Sequence, residues 1–152
     1  ELLRSEFLGL QITIPDGWYN ATQPGEDDRL ILASRDNDKA YLLISRMPGQ
    51  KRTLESFDRT TRHFIFTEMK GFLDEEKHTT VVDRPAYLWV YQGEARVNGH
   101  GWRKFYRIVA EKDSDFVVFH GVMESKDFVR YRGTLEKMIN SVSWINTELI
   151  GE

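Results

Sequence analysis

Apolar and polar residues alternate near the start of the chain, as in a strand with one buried face. The apolar positions are Leu8, Leu10, Ile12 and Ile14, and they alternate with Gly9, Gln11 and Thr13. Pro15-Asp16-Gly17 predicts a turn after this strand, because proline has no amide hydrogen for a sheet ladder and Asp-Gly favours chain reversal. Two later apolar runs, 30–34 and 40–47, predict a hairpin around Asp36-Asn37-Asp38.

Two segments have the spacing of amphipathic helices. The first follows Thr53, a suitable N-cap, and Gly71 is a suitable C-terminal stop. Its apolar stripe consists of Phe57, Thr61, Phe64, Ile65, Met69 and Phe72. The second helix is predicted to begin near Ser125, with a stripe of Phe128, Leu135, Met138, Ile139 and Val142. The two helices flank a run of strand candidates.

Four strands are predicted between the helices, at 76–83, 86–97, 102–111 and 116–123. Tight turns at Asn98-Gly99-His100-Gly101 and at Asp113-Ser114 separate the last three. If both turns form simple hairpins, Val97 faces Trp102, and the faces of the sheet follow from that register. The predicted fold class is α+β, with a curved antiparallel sheet and two main amphipathic helices.

This register predicts one apolar sheet face, which we expect beneath the helices. It consists of Trp89, Tyr91, Gly93, Ala95, Tyr106, Ile108, Val117, Phe119, Gly121 and Met123. Tyr106 would lie between Gly93 and Gly121, where a large ring has room. The opposite face would carry a polar row of Gln92, Arg107 and His120, with Glu94 nearby.

Composition predicts one globular domain spanning 1–152 and excludes several kinds of function. With 24 acidic and 21 basic residues the formal charge is −3, so no basic excess indicates a nucleic-acid partner. The absence of cysteine excludes disulfides, thiolate catalysis and cysteine-ligated metals. No apolar run approaches the roughly 18 residues of a membrane span, so we expect a soluble domain without a transmembrane segment.

The sequence shows no catalytic signature, and we expect no metal or other cofactor. The four histidines, His63, His78, His100 and His120, are scattered without the spacing of a zinc site.

The polar row of Gln92, Arg107 and His120 is the candidate ligand site, since arginine beside histidine and an amide can hold a carboxylate or phosphate. The alternative is an ordinary polar network on a solvated face. Trp89, Tyr91, Trp102 and Tyr106 are either core residues or the lining of an apolar pocket.

Three motifs resemble the PsbP-like and Mog superfamily. They are the opening stretch Phe7-Leu8-Gly9-Leu10-Gln11-Ile12-Thr13-Ile14-Pro15-Asp16-Gly17-Trp18, the strand entry Arg84-Pro85-Ala86-Tyr87, and the terminal Ile139-Asn140-Ser141-Val142-Ser143-Trp144. The resemblance covers nearly the whole chain. It implies an α/β/α sandwich around a central antiparallel sheet, and a binding or accessory protein rather than an enzyme.

The resemblance leaves three functions open. The first is a non-enzymatic accessory domain that binds another protein. The second is a cytosolic chaperone or GTPase partner of the DcrB-like or Mog type, using the acidic segments Glu26-Asp27-Asp28 and Asp74-Glu75-Glu76 or an exposed apolar groove. The third is a small-ligand receptor or enzyme that uses the face of Gln92, Arg107 and His120.

The expected location follows from the resemblance and from the first residue of the sequence. Because the sequence begins at Glu1 rather than at methionine, we expect upstream residues, such as an export signal or a lipid-anchor segment. The first function therefore predicts a bacterial protein outside the cytoplasm, exported or lipid-anchored. The second predicts a cytoplasmic location.

Overall fold

A computed structural model of the chain describes residues 1–94 and 102–145. The strands are β1 (Leu2–Ser5), β2 (Leu10–Thr13), β3 (Trp18–Asn20), β4 (Arg29–Ser34), β5 (Tyr41–Met47), β6 (Phe72–Val81), β7 (Arg84–Glu94), β8 (Trp102–Lys112), β9 (Asp115–Glu124) and β10 (Ser143–Trp144). The helices are α1 (Leu54–His63), which continues into a π-helical turn (Phe64–Glu68), and α2 (Phe128–Asn140), which follows a 3-10 turn (Ser125–Asp127).

Seven strands form one curved antiparallel sheet in the order β3-β4-β5-β9-β8-β7-β6. The hairpins β4-β5 and β8-β9 are joined by the pairing of β5 with β9, which lie far apart in sequence. A smaller sheet has the order β1-β2-β10, so the start of the chain pairs with its last described strand. The sequence patterns predicted β2, but not its pairing with β1 and β10.

Each face of the large sheet is covered by one helix, which differs from the prediction of a single covered face. The α2 face packs against α2 and the small sheet, and its core includes Leu88, Val90, Tyr106 and Phe119. The α1 face packs against α1 and the π-helical turn. Its core includes Trp89, Tyr91, Phe105, Val109 and Val118. The layers form the predicted α/β/α sandwich.

Helix α1 begins as predicted but ends eight residues before Gly71. Thr53 caps it, accepting a hydrogen bond from the Ser56 amide at 3.2 Å. After His63 the backbone widens into the π-helical turn, closed by the bond from the Met69 amide to the Phe64 carbonyl at 2.8 Å. This wider turn buries Ile65 completely and leaves Phe64 exposed, so the predicted helical stripe stops before it reaches β6.

The hairpin between β8 and β9 has the predicted register. Lys112 pairs with Asp115 across the two-residue turn, and Asp113 adopts the positive φ of 57° that such turns require. Tyr106 therefore lies opposite Gly121.

The predicted register between β7 and β8 is wrong. Trp102 pairs with Glu94, and Tyr106 pairs with Val90 rather than lying beside Gly93. The predicted turn Asn98-Gly99-His100-Gly101 lies outside the described residues. The observed offset differs from the predicted one by an odd number of residues, so every side chain of β7 is on the face opposite to the predicted one.

The physical reason for this error is that β7 is buried on both faces. Its central residues Leu88, Trp89, Val90 and Tyr91 are at most 2% exposed. A strand that is apolar on both sides has no alternation that could assign its faces. Only the pairing with β8 determines which side chains point towards which helix.

Candidate functional site

The structure brings together two of the three predicted site residues. Arg107 on β8 pairs directly with His120 on β9, and both side chains lie on the α1 face. Gln92 pairs with Lys104 and lies on the α2 face, where its amide donates to Asp74 Oδ1 at 3.4 Å. The predicted row is therefore wrong for Gln92 and right for the pair of Arg107 and His120.

The strands on either side surround this pair with apolar groups. Trp89 on β7 lies opposite Arg107, and Leu43 on β5 lies opposite His120. The Phe105 ring stacks on the His120 imidazole with the ring centroids 5.5 Å apart. Tyr91 stacks on the other side of Phe105, at 4.9 Å. The two polar side chains thus lie in a layer of aromatic and aliphatic groups.

Arg107 carries a positive charge without a counter-ion among the described residues. No hydrogen bond or ion pair joins its guanidinium to any side chain that the structure describes, and no carboxylate shifts its pKa. Burial lowers the pKa of Arg107. Burial also raises the pKa of Tyr91 to about 12, so the phenol stays protonated and supplies no negative charge.

His120 is a neutral base beside this cation. Burial, and then repulsion by Arg107, lower the pKa of His120 to about 3. Its Nδ1 atom is buried and has no hydrogen-bond partner. Buried nitrogen atoms are nearly always paired, since an unpaired one costs about 1–3 kcal/mol. Arg107 and His120 together therefore present one positive charge beside a neutral imidazole, and the charge suits a bound anion.

The surroundings of this pair are more buried towards β7 than towards β5. On the β7 side the Trp89 indole donates to Asp58 Oδ1 of α1 at 2.8 Å, and Trp89 is fully buried. On the β5 side Tyr41 and Leu43 are half-buried. Burial raises the pKa of Tyr41, and Arg103 opposes that shift. The site is therefore closed towards β7 and less covered towards β5.

The α2 face carries a separate charged network that ties helix to sheet. Arg132 donates to both carboxylate oxygens of Glu75 on β6, at 2.7 and 3.0 Å, and to Glu136 at 2.8 Å. Lys104 pairs with Asp74 at 3.3 Å. The acidic segment Asp74-Glu75-Glu76 is therefore part of β6, and its carboxylates are ion-paired within the chain.

A cleft of about 130 Å³ lies beside this network. It is lined by Lys77, Thr79, Thr80, Leu88, Tyr106, Ile108, Arg132, Glu136, Ile139 and Asn140. Of the aromatic residues predicted to be either core or the lining of a pocket, Trp89, Tyr91 and Tyr106 are core residues, the first two on the α1 face and Tyr106 on the α2 face.

Neither a metal cluster nor a membrane-spanning helix is found within the described ranges. No three His, Asp or Glu side chains of residues 1–94 and 102–145 come together to hold a metal ion. No helix in those ranges is long and apolar enough to cross a bilayer.

Exposed aromatic rings form a surface feature that the sequence patterns did not reveal. Phe72 at the start of β6 and Trp102 at the start of β8 are 59% and 45% exposed. Their rings stack with centroids 5.8 Å apart. Phe64 and Phe66, on the π-helical turn, are also about half exposed. The alternation along its strand predicted Trp102 to be a core residue or part of a pocket lining, and its exposure corrects that prediction.

The sequence matches no protein-family model and no curated protein. Solved structures with the same architecture do match. The cyanobacterial PsbP protein (CyanoP) of Synechocystis sp. PCC 6803 superposes with a TM-score of 0.68 at 11% identity, covering 95% of this chain and 91% of that one.

Two further structures show how widely the architecture is used. The Ran-binding protein Mog1p of Saccharomyces cerevisiae has a TM-score of 0.57 at 11% identity, covering 93% of each chain. LpqN, involved in cell envelope biogenesis of Mycobacterium tuberculosis, has a TM-score of 0.63 at 9% identity, covering 90% of this chain and 83% of that one. At these identities the likeness concerns the fold, and it confirms the resemblance seen in the sequence motifs: the chain has the PsbP-like/Mog-like fold.

Proposed function

We propose that the chain is a non-enzymatic accessory domain that binds another protein through the aromatic edge, defined as Phe72 and Trp102. The stacked and exposed pair of Phe72 and Trp102 carries this proposal. Large aromatic rings are enriched in the cores of protein interfaces, where each buries much apolar area at a small cost in conformational entropy. Exposing them to water is unfavourable unless a partner covers them.

The aromatic edge also has a defined geometry. The Gly71 amide donates to the Ile65 carbonyl at 2.7 Å, which fastens the π-helical turn to the start of β6. The segment that leads into Phe72 is therefore held in place. A partner meets rings whose backbone is already ordered, so less entropy is lost on binding.

The same fold serves a protein-binding role elsewhere, since Mog1p is described as Ran-binding. LpqN is described as involved in cell envelope biogenesis. The first description supports a binding role, and the second supports our further proposal that the chain acts outside the cytoplasm as an exported or lipid-anchored protein. A cytoplasmic chaperone or GTPase partner is the competing role. Fractionation of cells that naturally make the full-length protein decides between the two locations.

Site-specific photocrosslinking tests the aromatic edge. We would replace Phe72 by p-benzoylphenylalanine in cells that naturally make the protein and irradiate them. A discrete crosslinked product is expected, and it should weaken when Trp102→Ala is added. The matched control is the same replacement at Tyr19, which is 38% exposed and lies on β3 at the other edge of the sheet. No product from position 72, or the same product from position 19, would contradict the proposal.

A further inference from the structure

Arg107 and His120 have no role in the protein-binding surface proposed above. Phe72 and Trp102 lie on the α2 face, whereas Arg107 and His120 lie on the α1 face. A partly buried arginine is normally paired with a carboxylate, because leaving the charge unpaired in a region of low dielectric is costly. Among the described residues no carboxylate takes that position, and no hydrogen bond to the guanidinium compensates for it.

We infer that Arg107 and His120 form a binding site for a small organic monocarboxylate. The guanidinium offers two parallel N–H groups that match the two oxygen atoms of a carboxylate. The neutral imidazole of His120 lies directly opposite on β9 and adds no second charge to the site. Directly opposite residues on antiparallel strands have Cβ atoms roughly 4.5–5.5 Å apart, which is close enough for both side chains to contact one carboxylate.

The charge of the site selects a monoanion. One arginine and one neutral histidine supply a single positive charge, and the Tyr91 and Tyr41 hydroxyls next to them stay protonated because burial raises the pKa of both. A monocarboxylate is neutralised by this charge. A phosphate dianion would retain one negative charge in an apolar setting, which is unfavourable.

The surroundings select an apolar molecule. Phe105 and Val122 are buried beside the pair, and Leu43 is half-buried on the less covered side towards β5. A ring or alkyl chain attached to the carboxylate would displace water from these groups. We therefore expect benzoate to bind more tightly than acetate, and inorganic phosphate to bind more weakly than either.

Titration of the unmodified protein tests this site without any substitution. Benzoate is added while the imidazole signals of His120 are followed by NMR. Saturable shifts of those signals by benzoate, and none by the neutral analogue benzamide, are expected. No shift with benzoate up to about 10 mM, a range that covers ligands as weak as millimolar, would overturn the inference, as would equal binding of benzamide. Binding of a peptide carboxyl terminus but not of benzoate would overturn the assignment to a small molecule.

Matched variants of two arginines then test whether the charge of Arg107 holds the ligand. Arg107→Gln should weaken benzoate binding about tenfold or more, since it removes the charge-assisted hydrogen bonds. Arg103→Gln is the control, because Arg103 lies on the same strand and the same face but has its own partner, Glu124, at 3.9 Å. Equal loss in both variants, or no loss in Arg107→Gln, would contradict the inference. Neither result bears on the aromatic edge, whose crosslinking test is separate.

Discussion

At the scale of single residues, Tyr106 shows how one ring connects the sheet to α2. Tyr106 is 5% exposed and lies opposite Gly121. A Cβ atom on Gly121 would lie 2.8 Å from Leu135 Cδ1, so α2 packs directly on the backbone at this glycine. The Arg132 guanidinium stands over the Tyr106 ring at 5.6 Å. Leu135 therefore fills the space that the glycine leaves open, and the Tyr106 ring is buried beneath Arg132 of α2.

Tyr106→Ala is predicted to destabilise the fold by about 3–5 kcal/mol, because it leaves a cavity where a large ring was. Tyr106→Phe is the control, since it keeps the ring, and it should change the free energy of unfolding by less than about 1 kcal/mol. Chemical denaturation measures both values. Similar denaturation midpoints for the two variants would show that the ring is not packed between β8 and α2.

His120 makes stability depend on pH. Its pKa in the folded state, about 3, is below the value of about 6.5 in an unfolded chain. As the pH falls, His120 takes up a proton in the unfolded state before it does so in the folded state. The free energy of unfolding is therefore highest above about pH 6.5 and decreases as the pH drops towards 3. Between pH 7 and 5.5 the expected loss is about 1 kcal/mol.

His120→Gln should remove most of this pH dependence, whereas His63→Gln, at a side chain that is 66% exposed, should leave it unchanged. Urea denaturation at pH 7 and pH 5.5, where most carboxylates remain ionised, measures the difference. Equal pH dependence in the unmodified protein and in His120→Gln would mean that His120 can bind a proton in the folded state.

At the scale of elements, the bidentate pair of Arg132 and Glu75 fastens α2 to β6. The hydrogen bonds from Arg132 lower the pKa of Glu75, and the same bonds raise the pKa of Arg132. The pKa of the Glu75 carboxyl is lower in the folded state than in the unfolded state. The ionised carboxylate therefore stabilises the fold above the unfolded-state pKa, and this stabilisation is lost as the pH falls through the folded-state pKa. The attachment of α2 should therefore weaken in acid.

Glu75→Gln is predicted to destabilise the protein clearly at pH 7 and less at pH 3, because pH 3 is below the ordinary pKa of 4.5, so the unfolded state already binds a proton at Glu75 and part of the stabilisation is lost. Glu26→Gln is the control, because Glu26 forms only a surface pair with Arg29 at 3.4 Å, and such pairs contribute little. Thermal unfolding of the three proteins at both pH values measures the effect. The same destabilisation by Glu75→Gln at both pH values would contradict the ionic origin of the contact.

At the scale of the whole molecule, two strand pairings join parts of the chain that are distant in sequence. Strand β5 pairs with β9, and β2 pairs with β10, so the sheets close only after long loops have formed. The C-terminal pairing is reinforced by the Trp144 indole, which donates to the Val81 carbonyl at 3.0 Å. Such topologies form slowly, because the entropy of loop closure is lost before the contacts compensate for it.

Refolding is therefore predicted to take milliseconds to seconds, as in other proteins rich in non-local strand pairs. Stopped-flow dilution from denaturant, followed by tryptophan fluorescence, measures the rate. Complete refolding within microseconds would contradict the long-range pairing of β5 with β9. The hairpin β8-β9 should form early, since its two-residue turn is local.

Local patterns alone determined several features of this protein. The alternation in β2, the stripe of α2 and the cap at Thr53 each depend on neighbours within a few residues, so the sequence predicts them correctly. The turn Asp113-Ser114 sets the register of β8 and β9, and that register predicted that Arg107 would meet His120. The fold class followed from the order of these elements and from the motif resemblance.

The tertiary structure alone decided which face each side chain of β7 occupies and what surrounds Arg107. Helices cover both faces of β7, so all its central residues are apolar and neither face is marked in the sequence. Gln92 was therefore placed on the wrong side. Whether a charge has a partner is likewise a property of distant elements, because α1, β5 and β7 all contribute to the surroundings of Arg107. Local sequence determines periodicity, whereas burial on two sides and charge pairing arise only when distant segments meet.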